Sequence, residues 1–195
     1  MLEDIKRRLA AYEPHELVSD GAARAAVLIP LYVHRDEIHV VLTKRTNRVE
    51  AHKGEISFPG GAVDPEDADL MMTALRESTE EIGLLREHVE VIGRVDDLVT
   101  NTNFHVTPFV GAIDSALAPY LWQPHEAEVA EVIEVPLSHL RDSNSLVTLP
   151  RLRGSEVILT SAFVFGQHEI WGATFRMLSN FLRVAFEPAP AGSAR

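Results

Sequence analysis

Residues 54–84 read GEISFPGGAVDPEDADLMMTALRESTEEIGL, and the fold is decided there. The segment closes on Arg76-Glu77-Ser78-Thr79-Glu80-Glu81-Ile82-Gly83, which crowds three glutamates into five positions. On a helix, residues three and four apart share a face, so Glu77 stands beside both Glu80 and Glu81. Like charges at that spacing cost roughly 0.2–0.5 kcal/mol per pair. Arg76 offsets one repulsion by reaching Glu80, four residues on, and leaves the others. A cluster that costs stability calls for another purpose. Hard divalent cations take oxygen ligands, and Mg²⁺ is commonly held by one or two carboxylates together with substrate phosphates.

The flanks agree. Leu75 and Ile82 give the helix its buried stripe, with Met71 one turn earlier. Asp64, Glu66, Asp67 and Asp69 place acid at its start, where a helix favours it, and Gly83 stops it. Phe58-Pro59-Gly60-Gly61 is predicted to be a strand end running into a glycine turn, where the backbone can approach a ligand closely. A solvated acidic helix face, the ordinary reading of a charge run, leaves the joint occurrence of glycines, arginine and glutamates without a reason.

At these residues the chain resembles the Nudix hydrolases, whose box reads G-x5-E-x7-R-E-U-x-E-E-x-G-U with U aliphatic. Gly61, Arg76, Glu77, Glu80, Glu81, Gly83 and Leu84 match. The interval from Gly61 to Arg76 is one residue longer than the pattern. The early glutamate falls on Asp67 or Glu66, and Ser78 replaces an aliphatic residue. The preceding segment resembles the coenzyme A pyrophosphatase branch, with the approximate signature L-L-T-x-R-S-x-x-L-R-x-H-x-G-E-V-x-F-P-G-G. Leu42, Thr43, Arg45, His52, Gly54, Glu55 and Phe58 to Gly61 match, whereas Val49-Glu50 stands in place of Leu-Arg. Later segments at Asn103–Pro108, Glu128–Leu137 and Ile170–Thr174 are similar too, so the likeness runs from about Arg24 to Val184.

The resemblance implies an α/β fold, an α/β/α sandwich around a mixed β-sheet, and hydrolysis of a pyrophosphate bond with Mg²⁺ or Mn²⁺. It implies that Glu77 and Glu81 hold the main cation, that Glu80 shares a second ion or orients water, and that the Gly60 carbonyl adds a ligand. Arg76 is assigned to locking the glutamates by ion pairs. In such enzymes a glutamate ahead of a later strand serves as base or extra ligand. Glu128 is the first candidate and Glu126 the second. The ordinary reading of Glu126, Glu128, Glu131 and Glu134 is solvent-facing positions on a half-buried strand. Arg45, Arg48, His52 and Lys53 are candidate phosphate contacts, with Gly61 beside the substrate and Phe104 able to stack on a base. Each basic residue also reads as plain surface, and Phe104 as core. Trp122 and Trp171 read as packing residues.

The implied substrate is coenzyme A or a derivative, cleaved to 3′,5′-ADP and (acyl-)4′-phosphopantetheine. Two alternatives stay open. One is a diphosphatase for another nucleotide such as ADP-ribose or a nucleoside triphosphate. The other is a nucleotide sensor without turnover, against which the complete glutamate set speaks.

Composition sets the outer limits. A chain of 195 residues, 46% hydrophobic, suits one domain with a real core, expected to span residues 1–195 with a helix and linker over 1–23 and a frayed tail over 188–195. The absence of cysteine excludes disulfides and thiolate metal sites and suits a reducing, cytoplasmic compartment. A net charge of −11 argues against nucleic-acid or anionic-membrane partners. It also requires cations and local arginines to reverse the field for an anionic substrate. No signal peptide or spanning segment is expected. The chain is expected to act as a monomer or homodimer.

Periodicity predicts helices over 2–12 and 172–186, the latter burying Phe175, Leu178, Leu182 and Phe186. Strands are predicted over 24–34 and 37–45, joined at Arg35-Asp36, and over 55–58, 89–99, 104–113, 129–135 and 157–165. A strand at 169–171 pairs with the last of these. Residues 46–53 and 114–125 read as loops, and 136–141 as a helical turn.

Overall fold

A computed structural model describes residues 1–18, 21–46, 54–154 and 156–187, with Arg153 described in its backbone only. Residues 188–195 and 47–53, the latter with Arg48, Val49, Glu50, His52 and Lys53, lie outside the described residues. The chain runs α1 (Leu2–Ala10), β1 (Ala23–His34), β2 (Glu37–Arg45), β3 (Ile56–Ser57), β4 (Gly60–Ala62) and α2 (Leu70–Ile82). Then come β5 (Val89–Arg94), β6 (Leu98–Val99), β7 (Phe104–Ile113), β8 (Val129–Pro136) and α3 (Leu137–Arg141). It ends with β9 (Leu146–Arg153), β10 (Glu156–Phe165), β11 (His168–Ile170) and α4 (Gly172–Phe186).

β1 is the spine of an eight-stranded mixed sheet, parallel to β7 and antiparallel to β2 and β4. Its turn into β2 places Arg35 and Asp36 at φ 52° and 63°, the left-handed pair that matches the twist of a two-residue hairpin. Successive side chains of a strand face opposite sides. In β1, Ala25, Ile29 and Leu31 enter one core, and Ala26, Leu28 and Tyr32 enter the other. A strand buried on both faces reads as an unbroken apolar run, as Ala25 to Val33 does. α2 covers the second face through Ala74, Leu75 and Ile82. α1 and α4 cover the first through Ile5, Leu9, Leu178 and Phe181.

β1 and β2 pair from Leu31↔Val40 to the turn and then separate. β3 takes the vacated edge of β2, at Thr43↔Ser57, and β4 that of β1, at Val27↔Gly60. The other edge of β2 carries β8. This fork explains Pro30 inside a central strand. The Leu28 N–H points into the fork and donates to the Pro59 carbonyl at 2.9 Å. Two residues on, the nitrogen of Pro30 faces the same side, where β2 has already turned away, so no ladder bond is lost.

The structure corrects several expectations. Gly60 and Gly61 are strand, not turn. A side chain at Gly60 would run into the Ala26 carbonyl and Val27, so only glycine can pair this closely with β1. Asp64, Glu66 and Asp67 lie in the approach to α2, whose first turn holds no acid; Asp69 is its cap, accepting from the Met72 N–H at 2.8 Å. The strand expected over 89–99 divides into β5 and β6. Between them, Asp96 accepts from the Tyr12 hydroxyl at 2.6 Å and Asp97 from the Leu17 N–H at 3.3 Å, docking the N-terminal segment. The buried stripe of α4 is Thr174, Met177, Leu178, Phe181, Val184 and Ala185, leaving Phe175, Leu182 and Phe186 half-buried. β9 was not expected; with β10 and β11 it forms a separate three-stranded sheet in which it is an edge. Its Pro150 is the kind of residue that hides a strand and suits an edge. No helix among the described residues is long and apolar enough to cross a membrane.

Candidate active site

α2 delivers the glutamates to the fork. It begins on the Asp69 cap and ends where Gly83 turns left-handed at φ 69°. Ser78, at the position where an aliphatic residue was expected, is buried, and its hydroxyl donates to the Ala74 carbonyl at 2.7 Å, so the helix stays satisfied. Arg76 forks onto Asp67, with Nε to Oδ1 at 2.9 Å and Nη2 to Oδ2 at 3.0 Å. Its Nη1 donates to Glu77 at 2.8 Å and to Glu80 at 3.1 Å. Paired with this guanidinium, the Asp67 carboxyl is held far below the usual carboxylate range. Of the two acids at the lengthened interval, Asp67 is therefore the one built in, with a side chain 5% exposed, while Glu66 stays in solvent.

Gly61 lies directly on Glu77: a Cβ there would stand 2.5 Å from Oε1. Burial raises the Glu77 carboxyl, against the pull of Arg76. Glu81 is deeper, 5% exposed. Burial pushes its carboxyl up to about 8, with Glu77 and Glu128 adding repulsion and Arg45 and the Gly60 N–H opposing. Arg45 Nη1 stands 3.7 Å from Glu81 Oε1. Glu81 Oε2 and Arg45 Nε are both buried without a hydrogen-bond partner. So Gly60 meets Glu81 through its amide.

Glu128 comes from the turn ahead of β8. The Thr46 N–H donates to its carbonyl at 2.8 Å, which ties it to the end of β2 beside Arg45. Its carboxylate is half exposed, 3.4 Å from His125 Nδ1, and close enough to repel Glu77 and Glu81. The loop before it is strapped to the end of α2. The His125 N–H donates to the Glu81 carbonyl at 2.9 Å, and the Gln123 N–H to that of Ile82 at 3.0 Å. Glu126 stays exposed. Glu134, read as solvent-facing, instead accepts from Trp122 at 2.6 Å and Tyr32 at 2.5 Å. Alternation along β8 marks a half-buried strand, but only folding brings Trp122 of the loop and Tyr32 of β1 to this carboxylate.

A cleft of about 380 Å³ opens beside Gly60 and Gly61, with Arg45 in its lining. Phe104 and Trp171 both line it, Trp171 beyond its expected packing role. The family likeness of Ile170–Thr174 marked the segment but gave Trp171 no place at the site, since β11 and the start of α4 reach the fork only through tertiary packing.

Among the described residues, no three His, Asp or Glu side chains converge as a ready metal shell. Arg76 draws Glu77 and Glu80 to itself while Glu81 turns toward Gly60 and Arg45. The donors nonetheless fit a hard divalent cation. They are carboxylate oxygens around a buried acid with an unpartnered Oε2, and a neighbouring cation would keep such groups ionised.

The NUDIX domain profile matches residues 22–150. A protein of Photorhabdus laumondii subsp. laumondii called uncharacterized Nudix hydrolase NudL is 34% identical over 161 residues, covering 83% of this chain and 84% of that protein. Its namesake from Salmonella paratyphi B is 36% identical over 166 residues, covering 85% and 84%. The crystal structure of a MutT/nudix family protein from Enterococcus faecalis superposes with a TM-score of 0.57 at 14% identity, over 94% of this chain and 69% of that one. That last likeness is one of fold.

Proposed function

Because this chain belongs to the Nudix hydrolase family and has its fold, a mixed sheet with flanking helices, we propose that it hydrolyses the pyrophosphate bond of coenzyme A or its derivatives. The observation behind the reaction is the placement of Glu77 against Gly61, beside the buried Glu81, whose Oε2 has no hydrogen-bond partner. The substrate rests on the Leu42–Gly61 signature. The proposal treats residues 1–195 as one domain, since α1 and α4, outside the matched 22–150, build the first core.

Members of this family typically use divalent metals. Held by Glu77, Glu80 and Glu81 with the Gly60 carbonyl, Mg²⁺ or Mn²⁺ would supply charge neutralisation of the diphosphate. The chain's own groups do the rest. Arg76 keeps the glutamates in place and Asp67 keeps Arg76 in place. Arg45, which lines the cleft, is the candidate for a phosphate oxygen, with Arg48, His52 and Lys53 as further candidates. Glu128 takes the proton of the attacking water.

The test is a panel of coenzyme A, an acyl-coenzyme A, ADP-ribose and a nucleoside triphosphate, with products identified by mass. Release of 3′,5′-ADP and 4′-phosphopantetheine with the highest kcat/KM supports the reading. A preference for ADP-ribose moves the substrate and leaves the reaction class standing. No turnover of any of them favours a nucleotide sensor.

A further inference from the structure

The cleft beside Gly60 and Gly61 is lined by charged and by aliphatic groups. Its charged lining is Arg45 and Glu55, in the same cleft as Gly61, which lies on Glu77. The aliphatic lining is Ala25 and Val27 of β1, Ile56 of β3, Val106 of β7 and Met177 of α4. Of the aromatic lining, Phe104 is half-buried. Phe58 is 2% exposed, and the Arg151 guanidinium lies over the Trp171 ring, 4.7 Å from its centroid. Met177, an unbranched thioether, adapts to a flexible guest. Thr100, Asn101 and Thr102 add short polar side chains along one wall. A slot with an arginine, aliphatic sides and a few neutral hydrogen-bonding groups matches an extended, uncharged chain with a phosphate at one end.

We propose that this cleft is the subsite for the uncharged arm of the substrate, an amide-containing and thioester-bearing aliphatic chain, and that the nucleoside half lies outside it. The inference rests on the reading of the protein as a coenzyme A diphosphatase and adds which half of that molecule is recognised. The diphosphate then sits at Arg45, over Gly61, while the arm runs toward Phe104 and the start of α4. Longer acyl groups bind more tightly until the slot is full, because each buried methylene is removed from water.

The two product halves separate the possibilities. Binding to the full chain is measured by calorimetry, with S-acyl-4′-phosphopantetheine of rising chain length and with adenosine 3′,5′-bisphosphate. The acyl half should bind more tightly, gaining roughly tenfold for each two methylenes buried. Ala173→Phe narrows the slot from the α4 side and should weaken the acyl half at least about tenfold while leaving the bisphosphate unchanged. Should that variant unfold, the chain-length series on the parent protein decides alone. Tighter binding of the bisphosphate, a flat chain-length series, or binding of neither half overturns the subsite. Turnover of coenzyme A is measured separately. Acyl-half binding without turnover faults the reaction and keeps the subsite, whereas turnover with a flat chain-length series does the reverse.

Discussion

Gly61 and Glu77 occupy adjoining space with none to spare: a β-carbon on Gly61 would stand 2.5 Å from the glutamate's carboxyl carbon Cδ and from its Oε1. One residue earlier, Gly60 is pressed as closely onto β1, so the backbone of β4 cannot retreat. Gly61→Ala should therefore move the Glu77 carboxylate rather than the strand. The expected result is a loss of at least about tenfold in kcat/KM, weaker divalent-cation binding by calorimetry, and far-ultraviolet dichroism like the parent's. Parental turnover by this variant would remove Glu77 from the site.

Glu81 should make the cation-free protein sensitive to pH. Its folded carboxyl sits at about 8 against an ordinary value of 4.5, so the folded state holds a proton that the unfolded state releases. This contribution to stability is complete below the unfolded value and fades as pH rises through the folded one. The slope is at most about 1.4 kcal/mol per pH unit. The melting temperature in chelator should fall between about pH 5 and pH 8. Glu81→Gln should flatten that fall and melt higher at pH 8 while losing nearly all activity. Equal slopes in the two proteins would contradict the burial of this charge.

Asp67 should behave with the opposite sign. Its folded carboxyl is depressed by Arg76, so its contribution is present above the unfolded value of 3.8 and lost as pH falls toward the folded one. Asp67→Asn is expected to cost about 1–3 kcal/mol at pH 7, since Arg76 keeps Glu77 and Glu80 as partners. Denaturant melts at pH 7 and in acid check this. The gap between the two proteins should close in acid, and activity should drop as Arg76 loses its anchor.

Glu128 is half exposed and its side chain fixes no core element. If it takes the water's proton, Glu128→Gln should lower kcat by roughly 10²–10⁴-fold with an unchanged melting temperature. Glu126→Gln, exposed in the adjoining turn, should stay near parental. Comparable losses in both variants, or in neither, would shift the base into α2.

What the sequence determined by itself was whatever depends on neighbours along the chain. The Arg76 to Gly83 spacing set three glutamates on one helix and its stop at Gly83, and the unbroken apolar run of β1 with Arg35-Asp36 set the central hairpin. These rest on the helical and strand periods and on local backbone preference, which few residues suffice to express. What only the tertiary structure decided involves partners far apart in the chain. Asp67 prevails over Glu66 because Arg76 reaches it, and Gly60 and Gly61 become strand because β1 and β2 fork apart. Glu134 turns inward because Trp122 and Tyr32 meet it there. Glu81 acquires its high pKa from burial beneath the sheet, and Trp171 comes to line the cleft only when α4 packs. Burial and proximity belong to the packed chain: a residue's type states what it can do, and its environment decides which of those things it does.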